Sequence, residues 1–283
     1  MSTNKSVKKG HKLSYPAGVM ARYSSRLQAL IKRMNEEMKT GLNKIAKSNK
    51  PVMDYKKETR SVDSQVALLS SYINSKWTRI FEQKAPIYAK DMLVQTNKAS
   101  KASVNSSVKK LKEGFEIPKI QTKNFVINSN FLADDLREIS SDVIMKNIDL
   151  IKKIPGEYVN QFQVPEVKEE MFNAIAKGDL DELNRIITKN SKRSERRAQL
   201  MAEDQIRKAF NGINAERLKK NGVQKYEWLH SGGSQFPREL HIEYDGQIFS
   251  FDDPPIIEEK TGEVGIPGDA INCLCTMNPI IEL

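Results

Sequence analysis

Helical periodicity in the first half of the chain constrains its fold most. From Ala17 to about Ser48, Met20, Leu27, Leu30, Ile31, Met34, Met38, Leu42 and Ile45 fall mostly on one face of a helix, with lysines and arginines on the other. Pro16 opens this segment. A helix with one apolar stripe needs a partner to cover it. After a break at Lys50-Pro51, residues 62–101 supply one, with Val62, Val66, Leu69, Ile73, Trp77, Ile80 and Phe81 on a single side. The two patterns read as an antiparallel helical hairpin over 16–114, in which Pro86 should kink or divide the second arm. Residues 1–15 are basic and poor in apolar groups, so they read as a flexible tail.

A central helical region follows over 115–221. Residues 115–128, FEIPKIQTKNFVIN, read as an extended connector, and Ser129 or Asn130 as the cap of a helix carrying Phe131, Leu132, Leu136, Ile139, Val143, Ile144, Ile148 and Ile151. Pro155 is expected to start a new segment. Helices are expected from Pro165 to Ala176 and from Asp179 to Lys189. KNSKRSERR then reads as a link, with Ser191 or Ser194 capping a last helix that carries Leu200, Ile206, Phe210, Ile213 and Leu218 and stops at Gly222.

From residue 222 to 283 the pattern changes. YEWLH, ELHIEY, QIFSF and TMNPIIEL read as short strands separated by SGGSQFP, Asp245-Gly246 and the loop DDPPIIEEKTGEVGIPGDAIN. The expected fold is therefore mainly α, with an extended N-terminal helical hairpin, a central helical region and a small C-terminal α+β module. Two of the three histidines and both cysteines lie in that module.

The charge is distributed unevenly. Net charge is +10, yet residues 1–60 alone hold 15 Lys+Arg against 4 Asp+Glu, while residues 243–283 hold nine acids and only Lys260 as a base. The N-terminal side therefore suits an anionic partner, and Lys8, Lys9, Lys12, Arg22, Arg26, Lys32 and Arg33 are the residues that would meet DNA or an acidic protein surface. The alternative is a solvated basic face on a packed helix. No apolar run is long enough to cross a membrane, and the N-terminus is too polar for a signal peptide, so the chain reads as made and kept inside a cell.

Several stretches are similar to one known family. The helix RRAQLMAEDQ, containing Asp204 and Gln205, is followed by Asn211, then GVQKYEWL with Trp228, then Arg238 and His241 as R-x-x-H, then YDGQIF with Gly246, and finally PGDAINCLC. In order and spacing these resemble the phage Mu F-like, or head-morphogenesis, minor capsid proteins, and the resemblance extends over roughly 125–283. It implies a structural, non-enzymatic protein of the virion of a tailed phage, assembled in the host cytoplasm and present in several copies. Its implied partners are portal, major capsid or scaffold proteins and packaged DNA, and its implied role is head assembly and DNA packaging or ejection. The family usually has an acid a few positions before the R-x-x-H step, whereas SGGSQFP supplies none here.

The residues themselves leave other chemistry open. His241, Cys273 and Cys275 offer an imidazole and two thiolates, a donor set suited to Zn²⁺, with His230, Asp245 or Asp253 as a fourth ligand. With an open coordination position such a cluster would suit a metal-dependent hydrolase or nuclease. The plainer alternative has the cysteines packed as small hydrophobes and His241 bonded to a backbone carbonyl. A third reading is a DNA-binding protein acting through the basic N-terminus. Arg238 is expected to bridge the acidic loop around Asp252 and Asp253, Trp77 and Trp228 to be core anchors, and Asp204 with Asn211 to form a network on one helix face. No phosphate-binding glycine loop, G-x-S-x-G or H-E-x-x-H is present.

Overall fold

The computed structural model describes residues 7–49, 61–113, 137–233 and 236–282. The chain forms two compact units: residues 21–89 with 145–202, and residues 1–20 with 90–144 and 203–283. As expected, it is mainly helical with a small antiparallel sheet near the C-terminus. The expected connector at 115–128, the caps Ser129 and Asn130, and the break at Lys50-Pro51 lie outside the described residues.

The first unit is all helical. It takes most of α1 (Ala17–Ser48), the first half of α2 (Val62–Glu113), the end of α3 (Arg137–Asn160), α4 (Pro165–Lys177) and the first half of α5 (Leu180–Lys220). Leu27, Ile31, Met34, Met38 and Leu42 are fully buried, as the periodicity requires. The arms of α1 and α2 run antiparallel, since Asn49 meets Gln65, Glu37 meets Trp77, and Arg26 lies over the ring of Tyr88. Glu37 ties the hairpin by accepting from Lys76 Nζ at 2.5 Å, Trp77 Nε1 at 2.9 Å and Tyr72 Oη at 3.2 Å.

Three expected helix breaks are absent. Pro86 sits inside α2 and Pro155 inside α3. Pro86 is on the exposed face, where the carbonyl that its ring leaves without a donor can be solvated, so the helix continues. KNSKRSERR is not a link, because α5 continues through it to Lys220. The stretch from Leu180 to Asn211 contains no glycine or proline, and its Lys, Arg and Glu are good helix formers. Ser191 and Ser194 are therefore interior, bonded to Glu195 and Gln161, and Asp179 caps α5 by accepting from the Glu182 N–H at 2.9 Å. The stop after α4 is conventional, with Gly178 left-handed at φ 66° and its N–H returned to the helix carbonyls.

The second unit packs the later parts of α2 and α5 against a four-stranded antiparallel sheet ordered β1 (Val7–Lys9), β6 (Thr276–Glu282), β2 (Lys225–Leu229), β3 (Ile248–Ser250). Its core joins Leu13, Val104, Phe210, Leu218, Tyr226, Trp228 and Met277. A separate two-stranded ribbon pairs β4 (Ile256–Glu258) with β5 (Glu263–Val264).

Two expectations fail here. ELHIEY is not a strand; Glu239–Glu243 form the short helix α6. Nor are residues 7–15 a flexible tail. Val7–Lys9 pair with β6, Gly10 N–H and Leu13 N–H reach the Pro279 and Met277 carbonyls, and Thr276 Oγ1 donates to the Leu13 carbonyl. Leu13 is fully buried. The edge of β6 offers unpaired backbone groups that this segment satisfies, and Leu13, with Tyr15 packed against Phe210, anchors it in the core.

Candidate functional site

The loop from Gly265 to Cys275, which leads into β6, is where the second unit concentrates its buried polar chemistry. Its conformation is demanding. Gly268 has φ +93°, Asn272 has φ +56°, and a Cβ on Gly268 would lie 2.2 Å from Asn211 Nδ2. Such a loop holds only if surrounding groups fix its backbone.

Each side chain singled out near it does this by a separate route. Asp204 on α5 accepts the Asn272 N–H at 2.7 Å through Oδ1, and its Oδ2 receives Lys208 at 3.0 Å and Gln205 at 3.2 Å. About two turns further along the same helix, fully buried Asn211 donates Nδ2 to the Pro267 carbonyl and to Tyr15 Oη at 2.8 Å. The Tyr15 hydroxyl in turn donates a hydrogen bond to the Cys275 carbonyl. Arg238, at the N-cap of α6, donates to the Ile271 carbonyl at 3.2 Å and to Glu258 Oε2 at 3.3 Å. Arg238 thus bridges the acidic loop that follows Asp252 and Asp253, with Glu258 on β4 as its acid; Asp252 lies 3.3 Å from Lys219. Because α6 is helical, Arg238 and His241 do not project to opposite faces of a strand, and the His241 N–H returns to the Arg238 carbonyl.

His241, Cys273 and Cys275 converge as anticipated, at 3%, 4% and 2% exposure. His241 Nδ1 lies 3.4 Å from Cys273 Sγ and 3.8 Å from Cys275 Sγ, and all three donor atoms fall within 4.8 Å of one another. His241 Nε2 is 3.0 Å from the Ile257 carbonyl oxygen. A carbonyl only accepts, so Nε2 carries the proton and Nδ1 turns its lone pair toward the sulfurs. Trp228 packs edge-on against the imidazole at 5.0 Å, and the Cys275 N–H points at Cys273 Sγ at 3.4 Å. The hydrogen bond from Cys275 pulls the Cys273 thiol well below its ordinary range despite burial. That bond and burial push Cys275 up.

Of the other residues considered as ligands, neither His230, Asp245 nor Asp253 joins the cluster among the described residues. Asp245 instead accepts the His230 N–H at 2.8 Å. Gly246, at φ 78°, closes the turn between α6 and β3 and donates its N–H to the Trp228 carbonyl at 2.9 Å. Two participants escaped sequence reading. Tyr15 reads from sequence as part of the tail, and Asp269 lies within PGDAINCLC without standing out as a site residue; it accepts the Ile266 N–H at 3.0 Å, and burial raises its pKa to about 6.

The basic residues are less uniform than the sequence suggests. Lys9 is bound to Glu227 at 2.5 Å, Lys32 lies 3.7 Å from Glu195, and Arg26 rests on Tyr88. Lys8 lies in β1, while Lys12, Arg22 and Arg33 are exposed.

The second unit is thus a small α+β module built to hold one glycine-bearing loop above a buried imidazole and two thiols. Residues 165–278 match the family described as Phage Mu protein F like protein. An uncharacterized protein of Haemophilus influenzae is 32% identical over 137 residues, which cover 48% of this chain and 28% of that protein. The chain therefore spans less than a third of that relative's length. No solved structure matches. Among the described residues, no helix is long and apolar enough to cross a membrane.

Proposed function

We propose that this chain is a structural minor head protein of a tailed phage, carried in the virion at the portal or inner capsid and needed for head assembly and for DNA packaging or ejection. The observation that carries this reading is the phage Mu F-like region over 165–278. The site geometry supports it: Asp204, Asn211 and Arg238 each reach a backbone group of the 265–275 loop, which is how a docking surface is held rigid. In this reading the acidic C-terminal module meets a portal, major capsid or scaffold protein. The exposed Arg22 and Arg33 on α1, with Lys12, face DNA or an acidic capsid surface.

The test is to delete the gene from a phage or prophage that carries it, complement with the wild-type chain or a loop variant, and analyse purified heads. Mass spectrometry should find the protein in particles, and the deletion should lower the yield of DNA-filled heads. Filled, infectious heads at normal yield without the protein would refute the proposal.

A further inference from the structure

The buried triad has the dimensions of a metal site. For tetrahedral zinc, Zn–S distances of about 2.3 Å and a Zn–N distance of about 2.05 Å place sulfur and nitrogen about 3.6 Å apart. The two observed separations, 3.4 and 3.8 Å, bracket that value. Packing alone does not demand this arrangement. An imidazole lone pair aimed at two sulfurs gains only weak S–H hydrogen bonds in a place where water cannot substitute.

We propose that His241 Nδ1, Cys273 Sγ and Cys275 Sγ bind one zinc ion. Three features favour zinc. The donors are two sulfurs and one nitrogen, and no carboxylate joins them among the described residues, a set that disfavours magnesium and calcium. The imidazole is already oriented by its Nε2–H bond to Ile257, the outer-shell arrangement that fixes the tautomer a metal-bound histidine needs. The Cys275 N–H directed at Cys273 Sγ stabilises negative charge on that sulfur.

The ion would cross-link α6 to the segment entering β6. Binding displaces two thiol protons to solvent, with no change in oxidation state. This inference stands apart from the head-assembly reading, since either can fail alone.

The experiment uses the full chain, purified without chelator. Elemental analysis should give about one zinc per chain, and replacement by Co²⁺ should produce sulfur-to-cobalt charge-transfer absorption with the visible bands of a tetrahedral site. Cys273→Ser and Cys275→Ser should each lower zinc content and abolish or shift those bands, and a chelator should lower the wild-type melting temperature. Should the serine variants fail to fold, the wild-type cobalt spectrum decides. Folded wild-type chain that holds no zinc after incubation with Zn²⁺, and gives no thiolate–cobalt absorption, overturns the site.

Discussion

Gly268 and Asn211 should be energetically coupled, and the size of the coupling follows from their contact. An alanine at 268 would adopt φ +93°, a left-handed strain of about 1–2 kcal/mol. Its Cβ would also lie 2.2 Å from Asn211 Nδ2 and 3.0 Å from Tyr15 Oη. Asn211 must then withdraw from the Pro267 carbonyl and from Tyr15, losing two buried hydrogen bonds worth about 1 kcal/mol each and leaving acceptors without a donor. Gly268→Ala should cost about 3–5 kcal/mol in total, and Asn211→Ala about 2–4 kcal/mol for the same two bonds. In the double variant the bonds can be lost only once, and the shortened side chain leaves room for the new methyl. The pair should therefore cost about 2 kcal/mol less than the sum of the singles. Urea unfolding in a Trp77→Phe background, with Trp228 as the reporter of this unit and metal content held constant, measures the cycle. Additivity within about 0.5 kcal/mol would refute the reasoning, because the steric conflict would then not exist.

Other consequences can be checked in the same way. Asp269 has its folded pKa raised from 3.8 to about 6, so its protonated form favours the fold and that stability is lost as pH rises through about 6. Asp269→Asn should gain stability over wild type by about 1 kcal/mol between about pH 5 and pH 8, and a gain that shrinks over that interval contradicts the assignment. Glu37 moves the other way: burial alone would raise its pKa, but bonds from Lys76, Trp77 and Tyr72 outweigh burial and lower it. Its contribution is thus present at neutral pH and lost in acid. Glu37→Gln should cost about 1 kcal/mol at neutral pH, discounted for partial exposure, with Trp77 emission reporting; no loss there would mean the hairpin does not depend on the carboxylate. Leu13→Ala should destabilise the C-terminal module by about 2–4 kcal/mol, read by Trp228 emission, whereas a mobile tail would give no effect.

The helices were readable wherever burial followed the 3.6-residue period. The apolar positions on α1 predicted from sequence include Leu27, Leu30, Ile31, Met34, Met38, Leu42 and Ile45, all buried in the structure. Their ends were harder to read, because the usual stop signals are conditional. A proline interrupts a helix less when its freed carbonyl faces solvent, as at Pro86, and serines cap only where the chain actually turns, which it does not at Ser191 or Ser194. ELHIEY fails differently. Its alternation of apolar and polar residues suits a strand, but so short a run is too little for period to decide between strand and helix.

Local pattern also fails for the candidate site, though the residue types did not. His241, Cys273 and Cys275 were identifiable by chemistry, and Asp204, Asn211 and Arg238 by resemblance. Their shared task was not visible, because each acts on loop backbone far away in sequence, up to 68 positions for Asp204 and Asn272. Tyr15 shows the limit most clearly. It is separated by 260 positions from the Cys275 carbonyl it serves, and a basic stretch with few apolar residues looked like chain that could not offset its ordering entropy. The missing contribution came from the edge of β6, whose backbone groups supply hydrogen bonds that no composition records. Removing residues 1–60 to test for DNA binding would therefore strip a strand and a core leucine from the C-terminal module along with the charge. Substituting the exposed Arg22 and Arg33 with glutamine removes the charge alone. The salt dependence of DNA affinity in that variant, compared with wild type, separates phosphate contact from loss of fold, since a phosphate-binding surface must show a shallower slope when two of its cations are gone.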